Sequence, residues 1–467
     1  MKEGYLPVTR LKMLSRFFSG YRNKNSTRKK DKEISLLAPN IGDDGEPPIA
    51  IKVSRELLLE HSATFREMPR AELKKLGSRI PLKDVTPLAL RKIVEYMQKS
   101  STTFLNHTET LETLTASHKY RIDGISKTCV DLLIATLDPS NVCDIYETSL
   151  LIQYDILQYH CLKLIDREAE AVLRTRGFST LKKPTVLSII KRNSLKVDSE
   201  TSIFHAVLGW GLNACLRQGG DPNNTEKFLP LVRYLFNYVR FAAMSEEELQ
   251  ETEVQKYHQI LTLPLLENHI LFGRERAISE SRLERSASTT SSIVSVTDQQ
   301  PRKFIDTYTH SIDLTESDNH QQVKSGESFS LVIEVLKGKI FLSGLRLAFR
   351  PFTTTKKACC LYASVLVTNE STKEQRSARG TFSEVSSSDE EVSLDLIDPL
   401  PAKETDRVTV SLSVKRAENI SVFVIKQDIQ IAMPETKAVA LKITPVQHVS
   451  ESDGVDRCIL NGFEYFF

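Results

Sequence analysis

Phe204-His205-Ala206-Val207-Leu208-Gly209-Trp210 closes a succession of amphipathic helices that begins at Asp138 and runs to Gln218. Apolar residues recur there at spacings of three and four, the period that gathers them on one helix face. Val142, Ile145, Tyr146 and Ser149 share one such face. Leu157, Cys161, Leu164, Ala169 and Val172 share a second, read as a single helix, and Leu187 and Ile190 a third that opens at Pro184. Asp138-Pro139 supplies a cap and a first-turn proline, Asp198 a cap for the Phe204 helix, and Ser245-Glu246-Glu247-Glu248 a capping box. Short helices in series with brief loops predict an α-helical bundle rather than a βαβ sheet.

Upstream of the bundle the pattern is mixed. Two strand-like runs, Glu33 to Ala38 and Ile49 to Val53, flank Pro39 to Gly45, whose Gly and Asp residues suit a hairpin-type loop. Helical spacing follows from Arg55 to Phe65, then a short extended piece at Ile80 to Leu82. Thr86-Pro87 caps a helix carrying Leu90, Ile93, Val94 and Met97, and two more helices carry Leu111 with Leu114 and Ile125 with Cys129 and Leu132. This predicts a small α+β domain. Ahead of it, Leu11, Leu14 and Phe18 form a short apolar stripe, and Arg22, Lys24, Arg28, Lys29, Lys30 and Lys32 form a basic run that reads as a solvated loop.

Downstream the period changes to two. Ser286 to Ser292 buries almost nothing, so 275–303 reads as a linker. Beyond it, Phe329 to Val335, Lys339 to Leu342, Leu345 to Phe349, Cys360 to Val367, Val408 to Val414, Ser421 to Ile425 and Ala438 to Ile443 alternate or are β-branched. Strands in series without helices predict an antiparallel sandwich or barrel. The acidic stretch Ser386 to Glu391 reads as a solvated loop.

Composition fits a multi-domain α+β chain. With 467 residues, 40% hydrophobic and 26% charged, it is too long for one ordinary core and of globular character. A formal charge of +2 gives no global steering towards nucleic acid or a membrane. The seven cysteines are odd in number and scattered, without a C-x-x-C pair or zinc spacing, which suits reduced thiols in a cytoplasmic or nuclear protein. No phosphate loop, H-E-x-x-H or G-x-S-x-G occurs, and adjacent Cys359 and Cys360 point to opposite faces of a strand. His118, His160 and His205 sit on helices where packing or surface roles fit better than ligation. These readings predict no catalytic residue, no metal site and no cofactor.

The three-part order resembles the BTB-BACK-PHR architecture. In the bundle the resemblance rests on Cys161 to Asp166, Gly177-Phe178, Phe204 to Trp210, Arg217-Gln218 and Val239 to Glu248. In the first domain it rests on Phe65, Met68, Ile80-Pro81-Leu82, Asp84-Val85, Pro87, Lys119-Tyr120 and Cys129-Val130. At the C-terminal end it rests on Ile340 to Leu345 and Phe463 to Phe467. The resemblance implies a BTB/POZ domain over 33–137 behind an N-terminal segment 1–32, a BACK domain over 138–274, and a PHR-like β-sandwich over 304–467.

It further implies a non-enzymatic adaptor that recruits substrates to a cullin-three ubiquitin ligase. Leu11, Leu14 and Phe18 would form the homodimer contact, and Phe65, Met68, Leu73, Cys143, Tyr146 and Leu150 the cullin contact. The sandwich would capture the target protein. The chain departs from the family pattern at Pro69, where an aromatic is usual, at Lys75, where a glutamate is usual, and at Val53-Ser54, where His-Lys is usual. A cullin-independent dimeric scaffold or transport protein is the alternative implied by the same architecture.

Overall fold

The computed structural model describes residues 33–39, 47–69, 78–251, 254–255, 302, 308–311, 320–351, 359–384, 390–418, 420–423, 429–432, 440–446 and 462–466. The stripe Leu11, Leu14 and Phe18, the basic run 22–32, Leu73, Lys75 and residues 275–301 lie outside the described residues. The chain packs as two compact units, Met1–Asp131 and Leu132–Phe467.

The first unit is α+β. Strands β1 (Glu33–Ala38) and β2 (Ile49–Ser54) pair antiparallel, and β3 (Arg79–Pro81) adds parallel to β1, giving the order β2-β1-β3. Helices α1 (Arg55–His61) and α2 (Ala63–Glu67) replace the single helix expected from Arg55 to Phe65. The break is at Ser62, which is extended (φ −106°, ψ 114°), and whose hydroxyl accepts from the Phe65 amide and restarts the chain as an N-cap. Helix α3 (Pro87–Lys99) begins on the Thr86 cap, with the Thr86 hydroxyl 3.1 Å from the Ala89 amide. It buries Leu90, Ile93, Val94 and Met97, the expected stripe. Helices α4 (His107–Lys119) and α5 (Asp123–Ala135) complete the layer.

The second unit opens with the bundle. Helix α6 spans Val142–Ile152, three residues later than Asp138-Pro139 suggests. Asp138 still caps the preceding turn, its carboxylate accepting from the Ser140 and Asn141 amides at 2.7 and 3.2 Å. The stripe Leu157 to Val172 is shared between α7 (Asp155–Arg167) and α8 (Ala169–Leu173). The helix breaks because Glu168 leaves helical geometry (φ −117°, ψ 35°) and the Asp166 carbonyl is taken by the Lys196 amide at 2.8 Å. Helices α9 (Arg176–Thr180) and α10 (Lys183–Ile190) follow.

The long helix α11 (Glu200–Arg217) is capped by Ser199, not Asp198: the Ser199 hydroxyl accepts from the Thr201 amide, while the Asp198 amide goes to Glu170. Trp210 is buried in it, and its indole N–H donates to the Leu181 carbonyl at 2.8 Å. Helix α12 (Thr225–Phe236) lies against α11, and α13 (Glu246–Leu249) carries the capping box at Ser245 and Glu248.

The β part is an antiparallel sandwich. One sheet has the order β4 (Tyr308–Ser311), β15 (Gly462–Phe466), β7 (Lys339–Pro351), β12 (Ile420–Phe423), β5 (His320–Gln322), with β10 (Glu390–Lys403) also on β7. The other has the order β13 (Ile429–Ala432), β14 (Ala440–Val446), β6 (Ser328–Lys337), β11 (Arg407–Glu418), β8 (Cys359–Asn369), β9 (Gln375–Glu384). Leu331, Ile333 and Val335 of one sheet share the core with Leu342, Leu345 and Leu347 of the other.

The runs Lys339 to Leu342 and Leu345 to Phe349 are one strand. Gly344 sits between the Asp395 and Glu464 carboxylates, where a side chain would stand 3.3–3.4 Å from their oxygens, so it marks a close approach and not a turn. Glu390 and Glu391, read as part of an acidic loop, begin β10.

Candidate functional site

Phe65 is positioned by the Ser62 cap. The Ser62 hydroxyl donates to the Tyr120 carbonyl at 2.6 Å, and the Phe65 ring stacks on Tyr120 with centroids 5.7 Å apart and planes 3° apart. Phe65 is thereby 3% exposed. It anchors α2 to the core of its unit and presents no surface of its own. Met68, just beyond the helix, is half-buried, and Pro69 after it is exposed. Proline there lacks an amide hydrogen, and Met68 is extended (φ −63°, ψ 134°), as a residue before proline prefers. Next to this element, Lys119 pairs with Asp84 at 2.7 Å, and this hydrogen bond holds the Asp84 carboxyl below its ordinary range.

On α6 the helical period assigns the faces. Val142, Cys143, Ile145, Tyr146 and Ser149 turn inward. Cys143 packs near Gly177, and the Tyr146 hydroxyl lies 3.3 Å from the Ser188 hydroxyl. Burial pushes the Cys143 thiol up to about 12 and raises the Tyr146 hydroxyl as well. Cys143 and Tyr146 are therefore core residues. An apolar spacing of three and four marks the face that the core takes, so the same spacing that makes them conspicuous removes them from the surface.

The accessible apolar residues of α6 are Leu150 and Ile152, both half-buried, and Leu151, 69% exposed. Leu151 follows exposed Asp144 by seven residues, on the polar side of the helix. That spacing was available in the sequence, but a lone leucine among polar neighbours gives no periodic signal. Of the expected contact residues, Met68 and Leu150 thus keep accessible surface, Phe65, Cys143 and Tyr146 do not, and Leu73 lies outside the described residues.

No group of three or more His, Cys, Asp or Glu side chains among the described residues could hold a metal ion. Among them, too, no helix is long and apolar enough to cross a membrane. His205 lies 3.2 Å from Glu251, and His160 is held below its ordinary pKa, chiefly by burial.

Two family descriptions match the chain in order. The BTB/POZ domain matches residues 48–137, and BACK (BTB And C-terminal Kelch) matches residues 142–253. BTB/POZ domain-containing protein 6-A of Danio rerio is 31% identical over 251 residues, covering 54% of this chain and 45% of that protein. BTB/POZ domain-containing protein 6 of Homo sapiens is 32% identical over 236 residues, covering 50% and 42% respectively. BTB/POZ domain-containing protein 3 of Homo sapiens is 31% identical over 204 residues, covering 43% and 38%. The matched stretch spans less than half the length of each of these relatives.

Proposed function

We propose that this chain, a BTB-BACK protein, is a non-enzymatic adaptor that joins a ubiquitin-ligase scaffold to a target protein. The observation carrying the reading is the order of a BTB/POZ domain, a BACK bundle and an antiparallel sandwich in one chain. In this reading the BTB domain pairs with a second copy through Leu11, Leu14 and Phe18 and docks on cullin-three. The PHR-like sandwich, 304–467, captures the target. In this reading the protein works in the cytoplasm or nucleus, a setting that suits the buried free thiols of Cys129, Cys143, Cys161 and Cys215.

A second reading has its own support. Pro69 is exposed, Lys75 carries the charge opposite to the family's glutamate, and Cys143 and Tyr146 are buried. These features favour a cullin-independent dimeric scaffold. Affinity purification from cells separates the two. The adaptor reading expects cullin-three among the recovered proteins, in greater yield from Lys75→Glu, since removing a reversed charge at an interface strengthens association. Recovery of other partners alone from both forms, with their turnover unchanged when the protein is depleted, leaves the scaffold reading in its place.

A further inference from the structure

Two phenylalanines lie on the wrong side of a sheet. In the β4-β15-β7-β12-β5 sheet, Leu342, Leu345, Phe463 and Tyr465 fill the sandwich core, so their alternating neighbours face outward. Phe341 and Phe466 are cross-strand partners on that outer face, yet they are 2% and 1% exposed. An outer face normally meets water, and apolar rings there need a cover. The cover is the helical bundle of the same unit. Tyr159 of α7 lies 5.4 Å from both rings, edge-on to Phe466. The Arg192 guanidinium stands 5.0 Å from the Phe466 centroid and the Lys163 ammonium 5.3 Å from it.

Charge surrounds this aromatic centre. Lys339 and Lys403 are also cross-strand partners, and both reach Asp155 at the start of α7, at 2.6 and 3.6 Å. Lys339 adds a bond to the Gln158 amide oxygen at 3.1 Å and sits over the Phe341 ring at 4.7 Å. Gly338 directs the first lysine: its φ of 86° permits the tight turn between β6 and β7. Arg192 is itself held from below, by paired bonds to the buried Asp166 at 2.7 and 2.6 Å.

A second anchor lies in the sequence just before the sandwich. The Arg302 side chain is 1% exposed and points into the bundle. Its guanidinium makes five bonds, two to Glu200 (2.6 and 3.3 Å) and one each to the carbonyls of Ile190, Arg192 and Tyr238 (2.8, 2.5 and 3.1 Å). Five bonds match the five donors that arginine carries. The chain therefore enters β4 from a fixed point on the bundle.

We infer that the bundle face formed by Asp155, Tyr159, Lys163 and Arg192 is a docking surface whose occupant is the sandwich of the same chain, held by Phe341, Phe466, Lys339 and Lys403. Bundle and sandwich then move as one body, and a captured protein is presented in a fixed direction relative to the BACK domain. The adjoining outer face of the sheet is unavailable for capture. The inference is independent of whether cullin-three binds.

Carbodiimide activation of the full chain tests it, because that reagent joins only carboxylates and amines already in contact. Peptide mapping is expected to find Asp155 joined to Lys339 and to Lys403, with Lys119 joined to Asp84 as internal control. Lys339→Glu/Lys403→Glu, at the rim of the sheet, is expected to raise the radius of gyration in small-angle scattering. Adding Asp155→Lys is expected to bring it back. Detection of the control link without the Asp155 links, or a radius unmoved by the double reversal, overturns the inference.

Discussion

Trp210, the single tryptophan of the chain, is buried and donates its one polar hydrogen to the Leu181 carbonyl. Helical periodicity marks its apolar body, but nothing local marks the acceptor 29 positions away. The cysteines show the same division. Their scatter excludes a zinc pattern, but only burial in the structure sets their chemistry. Cys129 and Cys143 are pushed up to about 12, and Cys161 is raised as well, in each case first by burial. The sign follows directly. A thiol ionises near 9.0 once unfolded but stays neutral in the fold, so the stability it contributes is complete below that pH and is lost between 9 and about 12. Each of the two thiols should lower stability by up to about 1.4 kcal/mol per pH unit in that window, measurable by urea denaturation across an alkaline series. In native protein below pH 9.0, half-exposed Cys360 should react with a thiol reagent well before Cys129, Cys143 and Cys161. Equal labelling of all four would contradict this burial.

At the scale of elements, α11 carries two glycines that look alike in the sequence. A Cβ at Gly211 would collide with the Val232 side chain and come within 3.3 Å of the Phe228 ring, whereas at Gly209 it meets nothing within 4 Å. Gly211 is thus the point where α12 presses against α11. Gly211→Ala should destabilise the bundle by about 1–3 kcal/mol through overpacking. Gly209→Ala should instead stabilise it by up to about 1 kcal/mol, the helix preference of alanine. Urea curves followed by Trp210 fluorescence would show shifts of opposite sign; no loss from Gly211→Ala would mean that the helices do not approach there.

Element existence was well marked by sequence, and element ends less so. Thr86 and the Ser245 box cap as expected because side chain and amide are three residues apart and need no distant partner. Asp198 is not the cap because the helix starts one residue later than expected, at Glu200, which puts Ser199 in the cap position, while the Asp198 amide is held by Glu170 of another helix. The strand Gln375–Glu384 carries no strand signal in the sequence, because an edge strand bearing Arg376 and Arg379 lacks an alternating apolar face.

On the scale of the whole molecule, the adaptor reading predicts a division of labour between the N-terminal domain and the sandwich. A chain ending before residue 304 should still self-associate in sedimentation, since Leu11, Leu14 and Phe18 remain, but should lose its captured partner. It should also unfold more readily, because the cut uncovers Tyr159 and strips Asp155 of both lysines. A truncated chain that retains its partner would place capture elsewhere. The sequence by itself determined the three architectural regimes, because helical and strand periods are local properties of burial. It also determined the absence of familiar catalytic motifs and the family-like order of parts. Only tertiary structure decided which apolar residues reach a surface. Periodicity finds the buried face of each element but not what buries it, so Cys143 and Tyr146 proved to be core, Leu151 proved exposed, and Phe341 and Phe466 proved to be covered by helices far away in the chain.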